Sequence, residues 1–61
     1  MPVISIELGQ VSAETRAELI SSLTKTAADV TKIPPEKFVV LIKEYPRDAI
    51  GVGGIPLSKL V

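Results

Sequence analysis

Between Gly9 and Pro34 the chain contains neither glycine nor proline, and that uninterrupted stretch constrains the fold more than any other feature. Within it Ala13, Ala17, Ile20, Leu23, Ala27 and Val30 recur at the spacing of one face of an α-helix. The spacing predicts a helix from Ala13 to about Thr31. Ser12 stands where its hydroxyl can accept from the free amides of the first turn. Glu14 and Glu18 lie early, where they complement the helix dipole, and Lys32 lies just past the other end. Arg16, Ser22, Lys25 and Asp29 fall on the opposite side and read as a solvated face. Lys32-Ile33-Pro34-Pro35 stops the helix, because proline lacks the amide and disfavours helical geometry in the residue before it.

One long helix in so short a chain leaves only short flanks. Pro2 to Leu8 shows partial alternation, Val3, Ile4, Ile6 and Leu8 against Ser5 and Glu7, and predicts a strand that Gly9-Gln10-Val11 ends. Proline cannot donate to a ladder, so Pro2 at the start of that strand does least harm. Beyond the helix, Pro34, Pro35 and Glu36 form one short turn. Phe38-Val39-Val40-Leu41-Ile42 is five consecutive apolar residues rich in β-branched side chains, the pattern of a strand covered on both faces. Strand, helix and strand with short links make a βαβ unit with parallel strands. Tyr45-Pro46-Arg47-Asp48 reads as a turn, and the glycine-punctuated apolar segment from Ala49 to Leu57 as a short hairpin or arm lying on a neighbour. Its Gly51-Val52-Gly53-Gly54 run is no phosphate loop, since no helix and no Lys-Ser/Thr ending follow. No repeat or linker divides the chain, so residues 1–61 are expected to form a single α+β domain.

A domain of 61 residues hides only about 60% of the surface its unfolded chain exposes. Chains this small are usually reinforced by disulfides, a metal or oligomerisation. There is no Cys and no His, which removes the first and argues against the second, so neither metal nor other cofactor is expected. Apolar residues make up 46% of the chain, and the second face of the Phe38–Ile42 strand needs a cover the chain does not supply. The expected remedy is a homo-oligomer. Seven basic and seven acidic residues cancel, so neither nucleic acid nor an anionic membrane is an expected partner. No apolar run spans a bilayer and no signal-peptide pattern opens the chain, which points to a cytoplasmic protein.

With no His or Cys and with scattered carboxylates, Pro2 stands out as the one proton-transfer group. If Met1 is removed, Pro2 becomes a secondary amine at the start of a strand. Such an amine can take a proton near neutral pH when desolvation disfavours its ammonium form, and its ring holds it in place.

The segments Pro2-Val3-Ile4-Ser5-Ile6, Leu19-Ile20, Phe38-Val39-Val40-Leu41-Ile42-Lys43-Glu44 and Ile50-Gly51-Val52-Gly53-Gly54, with Ser58-Lys59 after them, resemble in order and spacing the small subunits of the 4-oxalocrotonate tautomerase family. The resemblance covers essentially the whole chain. It implies a tautomerase-type fold in which two βαβ subunits join into a four-stranded sheet and three such dimers make a homohexamer. It also implies an isomerase that interconverts enol and keto forms of small unsaturated 2-hydroxy or 2-oxo acids, with Pro2 as general base after loss of Met1. Ile50, Val39 and Leu8 fall at positions that line the family's substrate pocket; Ile50 replaces an aromatic residue there.

The sequence also departs from the family. Its well-characterised members use an arginine after the first strand to hold a substrate carboxylate and another inside the second strand to polarise the carbonyl end. Here Gly9-Gln10-Val11 and Val39 occupy those regions. Because charge-assisted clamps are the strong ones, their loss points to low efficiency or to a less negative substrate. Arg47, Lys37 and Lys43 are the candidate replacements, the two lysines by sharing strand parity with Val39, and Tyr45 is a candidate hydrogen-bond donor to an oxyanion. Two other readings are a tautomerase-fold structural or binding protein without proton transfer, favoured if Met1 is retained, and a related hydratase, dehalogenase or decarboxylase, separated by product analysis.

Overall fold

Ser12 caps the helix as its position predicts: its Oγ accepts from the Thr15 amide at 3.1 Å, and helix α1 runs Ala13–Thr31. At the other end Lys32 adopts a left-handed conformation, φ 63°, and its amide closes on the Ala28 carbonyl at 2.9 Å. The computed structural model describes residues 1–60; Val61, the last residue of the expected 1–61 domain, lies outside them.

Strand β1 covers Val3–Gly9 and β2 covers Val39–Tyr45. The two pair in parallel from Val3 opposite Val39 to Gly9 opposite Tyr45, completing the βαβ unit. The second strand is longer than its apolar run predicts, since Lys43, Glu44 and Tyr45 continue it. Charged residues ended the sequence signal there, whereas the backbone ladder has no preference against them. Tyr45 therefore ends a strand rather than opening a turn. Pro35–Lys37 and Arg47–Ala49 form single 3-10 turns on either side of β2. The glycine-rich tail is the expected hairpin. Strands β3 (Gly51–Val52) and β4 (Ile55–Pro56) pair antiparallel across Gly53 and Gly54, both with positive φ. A two-residue loop with positive φ at both positions matches the twist of the flanking strands and suits glycine. The Leu57 amide donates to the Ile50 carbonyl at 2.7 Å and ties the hairpin's end to its start.

Successive side chains of a strand point to opposite faces, and exposure follows that period. Ile4, Ile6 and Leu8 are half-buried while Val3, Ser5 and Glu7 are exposed. The half-buried set and its β2 partners Val40, Ile42 and Glu44 form the face that carries α1. On α1 the half-buried positions are Arg16, Leu19, Leu23, Thr24 and Ala27, with Ala28 buried. This corrects the expected helix face. Ala13, Ala17, Ile20 and Val30 are exposed, so only Leu23 and Ala27 of the expected set turn inward, and Arg16, read as solvated, is half-buried. The sequence holds more apolar residues on α1 than one stripe accommodates, Leu19 beside Ile20 being the plainest case, and a partly exposed ion pair accompanies the stripe that turns inward. Arg16 Nη1 meets Glu44 Oε1 at 2.7 Å and also donates to the Val11 carbonyl at 3.0 Å. The second Glu44 oxygen accepts from the Val11 amide at 3.2 Å, so this one cluster pins the loop after β1, the start of α1 and the end of β2 together.

The opposite sheet face is exposed along its middle, at Ser5, Leu41 and Lys43, and half-buried at Val39 and Tyr45. Val3 and Leu41 are each about half exposed there.

Candidate active site

Pro2 is half-buried immediately before β1. Its carbonyl accepts from the Val39 amide at 3.0 Å, which fixes its backbone against the first residue of β2. Pro2 and Val39 are thus neighbours, as the candidate site requires. Leu8 and Ile50 are neighbours too, but elsewhere. They line a hollow of about 340 Å³ together with Glu7, Gly9, Tyr45 and Ala49. That hollow lies at the far end of β1, about 20 Å along the strand from Pro2 at 3.3 Å per residue. Within one chain the four expected site residues therefore form two separate pairs at opposite ends of the sheet.

The candidate cations sit as follows. Lys43 projects from the same sheet face as Val39, opposite Glu7 in register, but four residues nearer the hollow than the Pro2 end. Lys37 does not share that strand parity. It belongs to the 3-10 turn ahead of β2, because Pro34 and Pro35 delay the strand, and its side chain gains no direction from the sheet. Arg47 lies in the turn after β2, and its Nη2 donates to the Leu57 carbonyl at 3.1 Å, holding the hairpin. Arg16 is held by Glu44. Gln10 and Val11 lead into the helix, Gln10 exposed and Val11 half-buried.

Tyr45 is engaged as well. Its Oη donates to Glu7 Oε1 at 2.5 Å, across the diagonal between Glu7 and the Gly9 partner position. The carboxylate accepting that proton pushes the phenol's pKa above the ordinary tyrosine value, with burial and the negative charge adding to it. The proton that was expected to reach an oxyanion is thus committed to Glu7, and the phenol oxygen presents lone pairs instead. Glu44 shifts the other way: hydrogen bonds from Arg16 and from the Val11 amide favour its ionised form and lower its pKa.

Glu7 is the residue of this hollow that sequence reasoning passed over. Its signal was present, an acid on the outward parity of β1, but its nearness to Tyr45 depends on a strand register that no local pattern specifies. Among the described residues no group of three or more Asp or Glu side chains is placed to hold a metal, and no helix is long and apolar enough to cross a membrane.

Comparison with known proteins identifies the family. The model of the tautomerase enzyme family matches residues 2–60. A probable tautomerase of Ralstonia nicotianae is 39% identical over 59 residues, spanning 95% of this chain and 84% of that protein. Among solved structures, a heterohexamer 4-oxalocrotonate tautomerase from Chloroflexus aurantiacus superposes with a TM-score of 0.88 at 32% identity, covering 100% of both chains. An apo unfused 4-oxalocrotonate tautomerase gives 0.90 at 34% identity, covering 98% of this chain and 100% of that one. Matched along nearly its whole length in sequence and in backbone, the chain belongs to the tautomerase family of isomerase-type enzymes.

Proposed function

We propose that this protein interconverts the enol and keto forms of small unsaturated 2-hydroxy or 2-oxo acids, with Pro2 as general base once Met1 is removed. The observation that carries the reading is the placement of Pro2: half-buried immediately before β1, with its carbonyl fixed by the Val39 amide. A secondary amine held by its ring and by that bond has little freedom left to lose on reaching a substrate. Partial burial disfavours its ammonium form, and Val39 beside it adds apolar surface.

The separated half-sites point to assembly. A base at one end of β1 and a lined hollow at the other make one site only if a second copy supplies the missing half. The isolated chain is also poorly closed. Its surface is 4636 Å², against about 3,800 Å² expected for a folded monomer of its mass. The excess of about 800 Å² equals one partner's share of a standard protein interface. We therefore propose a homohexamer of three dimers in which paired two-stranded sheets become four-stranded, with Leu8 and Ile50 of one copy facing Pro2 of another. Solvent-facing apolar residues would be limited in that assembly, in keeping with action in the cytoplasm.

The test is turnover followed by ultraviolet absorbance on 2-hydroxymuconate and on phenylenolpyruvate, with protein whose intact mass shows Met1 removed. Wild type is expected to convert at least one of them, and Pro2→Ala to lose about 10²-fold in kcat/KM, the scale of a positioned general base. Equal rates for wild type and Pro2→Ala would remove Pro2 from the mechanism. No conversion of either acid would favour a non-catalytic scaffold, and product mixtures containing hydrated or decarboxylated species would move the reaction class.

A further inference from the structure

We infer that the hollow formed by Glu7, Leu8, Gly9, Tyr45, Ala49 and Ile50 receives a substrate end that carries no carboxylate, and that Glu7 is the residue that selects for it. The inference rests on the function proposed above and names the substrate class at that site: unsaturated acids with one acidic group, whose far end is apolar or donates a hydrogen bond.

Three observations carry it. The polar side chains lining the hollow are Glu7 and Tyr45, and because the Tyr45 hydroxyl donates to Glu7, both face a ligand as acceptors. A second carboxylate there would meet a like charge and lone pairs, with desolvation of its own charge uncompensated. The remaining lining, Leu8, Ala49 and Ile50, is apolar.

Nearby cations are placed elsewhere. Lys43 is the register partner of Glu7, yet it makes no ion pair with it: among the described residues the ion pairs are Arg16 with Glu44 and Lys25 with Asp29. Lys43 instead lines the neighbouring hollow with Ser5, Ile6, Glu7 and Leu41. Arg47, on the turn that brings Ala49 to the hollow, donates to the Leu57 carbonyl. Among the described residues no guanidinium or ammonium lines the hollow itself.

Two probes with the same five-carbon skeleton isolate the far end: 2-oxopentanoate and 2-oxoglutarate, which differ by one terminal carboxylate. Tyr45 is the chain's only tyrosine, so its ring resonances report occupancy of this hollow directly in NMR titrations. Wild type is expected to bind 2-oxopentanoate on the order of tenfold more tightly than 2-oxoglutarate, the scale of one like-charge contact near a protein surface. Glu7→Gln keeps an acceptor for the Tyr45 hydroxyl and removes the charge, so it is expected to narrow that ratio towards one. Glu18→Gln, which removes an equal charge from the exposed side of α1, is expected to leave the ratio as in wild type. Equal or tighter binding of the dicarboxylate by wild type, no perturbation of Tyr45 by either acid, or an unchanged ratio in Glu7→Gln would each overturn the inference. Binding is read apart from turnover, so a Pro2 that proves non-catalytic leaves this result interpretable.

Discussion

At the scale of single residues, the sequence was most informative where one residue type has one physical use. Pro2 was legible as the residue ahead of a strand because proline has no amide to give a ladder; Ser12 because a hydroxyl before a helix has an obvious task. Gly53 and Gly54 were legible as a turn for the same reason. Residues whose role depends on a distant partner were not. Arg16 looked like any solvated helix charge until Glu44 was placed opposite it, and Tyr45 looked like a free phenol until Glu7 was. Lys32 is an intermediate case: its position past the helix was legible, its left-handed conformation was not. A side chain with a Cβ in that conformation costs about 1 kcal/mol, and glycine is the residue that usually occupies it. Lys32→Gly is therefore expected to stabilise the fold slightly, by up to about 0.5 kcal/mol, after the entropy glycine adds to the unfolded chain. Chemical denaturation of both proteins under identical conditions measures the difference. A loss of stability would show that the lysine side chain contributes more than its backbone strain costs.

At the scale of elements, the order β, α, β and hairpin followed from periodicity and punctuation, and the helix limits matched to the residue. What periodicity left open was rotation and register. A helix bearing Leu19 and Ile20 side by side supports two apolar stripes, and the Arg16, Glu44 and Val11 cluster forms beside the inward one. That cluster makes a pH prediction. Glu44 has its pKa lowered in the folded chain by the Arg16 hydrogen bond and then by the Val11 amide. The folded state thus holds the proton less tightly than the unfolded one, so the contribution is present above the ordinary glutamate value and is lost as pH falls through the depressed one. Glu44→Gln is expected to lower the melting temperature at neutral pH and to flatten the fall in stability on the acid side. Melting curves from about pH 7 downward check this. An acid limb as steep as that of wild type would mean that another carboxylate governs it.

At the scale of the whole molecule, the chain is an unfinished object. Its radius of gyration is 14.7 Å, where a compact chain of this length would have about 10–11 Å. Among the described residues Ala28 is the only buried one, and none is fully buried. The smallness of the core was legible from length, apolar content and the absence of Cys; which surfaces meet was not, because an interface is a property of two chains and one sequence pattern describes each face only separately. The account predicts a particle several times the 6.5 kDa chain mass, near six copies by light scattering, that loses secondary structure as it dissociates on dilution. A stable folded monomer would contradict it, and would leave Pro2 about 20 Å of strand away from Leu8 and Ile50. The central claim is chemical, however, and concerns one nitrogen. The most direct measurement compares two preparations of the same protein, one beginning at Pro2 and one still carrying Met1, on phenylenolpyruvate at neutral pH. The free proline protein is expected to catalyse ketonisation and the Met1-bearing protein to lose about 10²-fold or more, since an amide nitrogen has no basicity to offer. Equal rates from both would contradict the account.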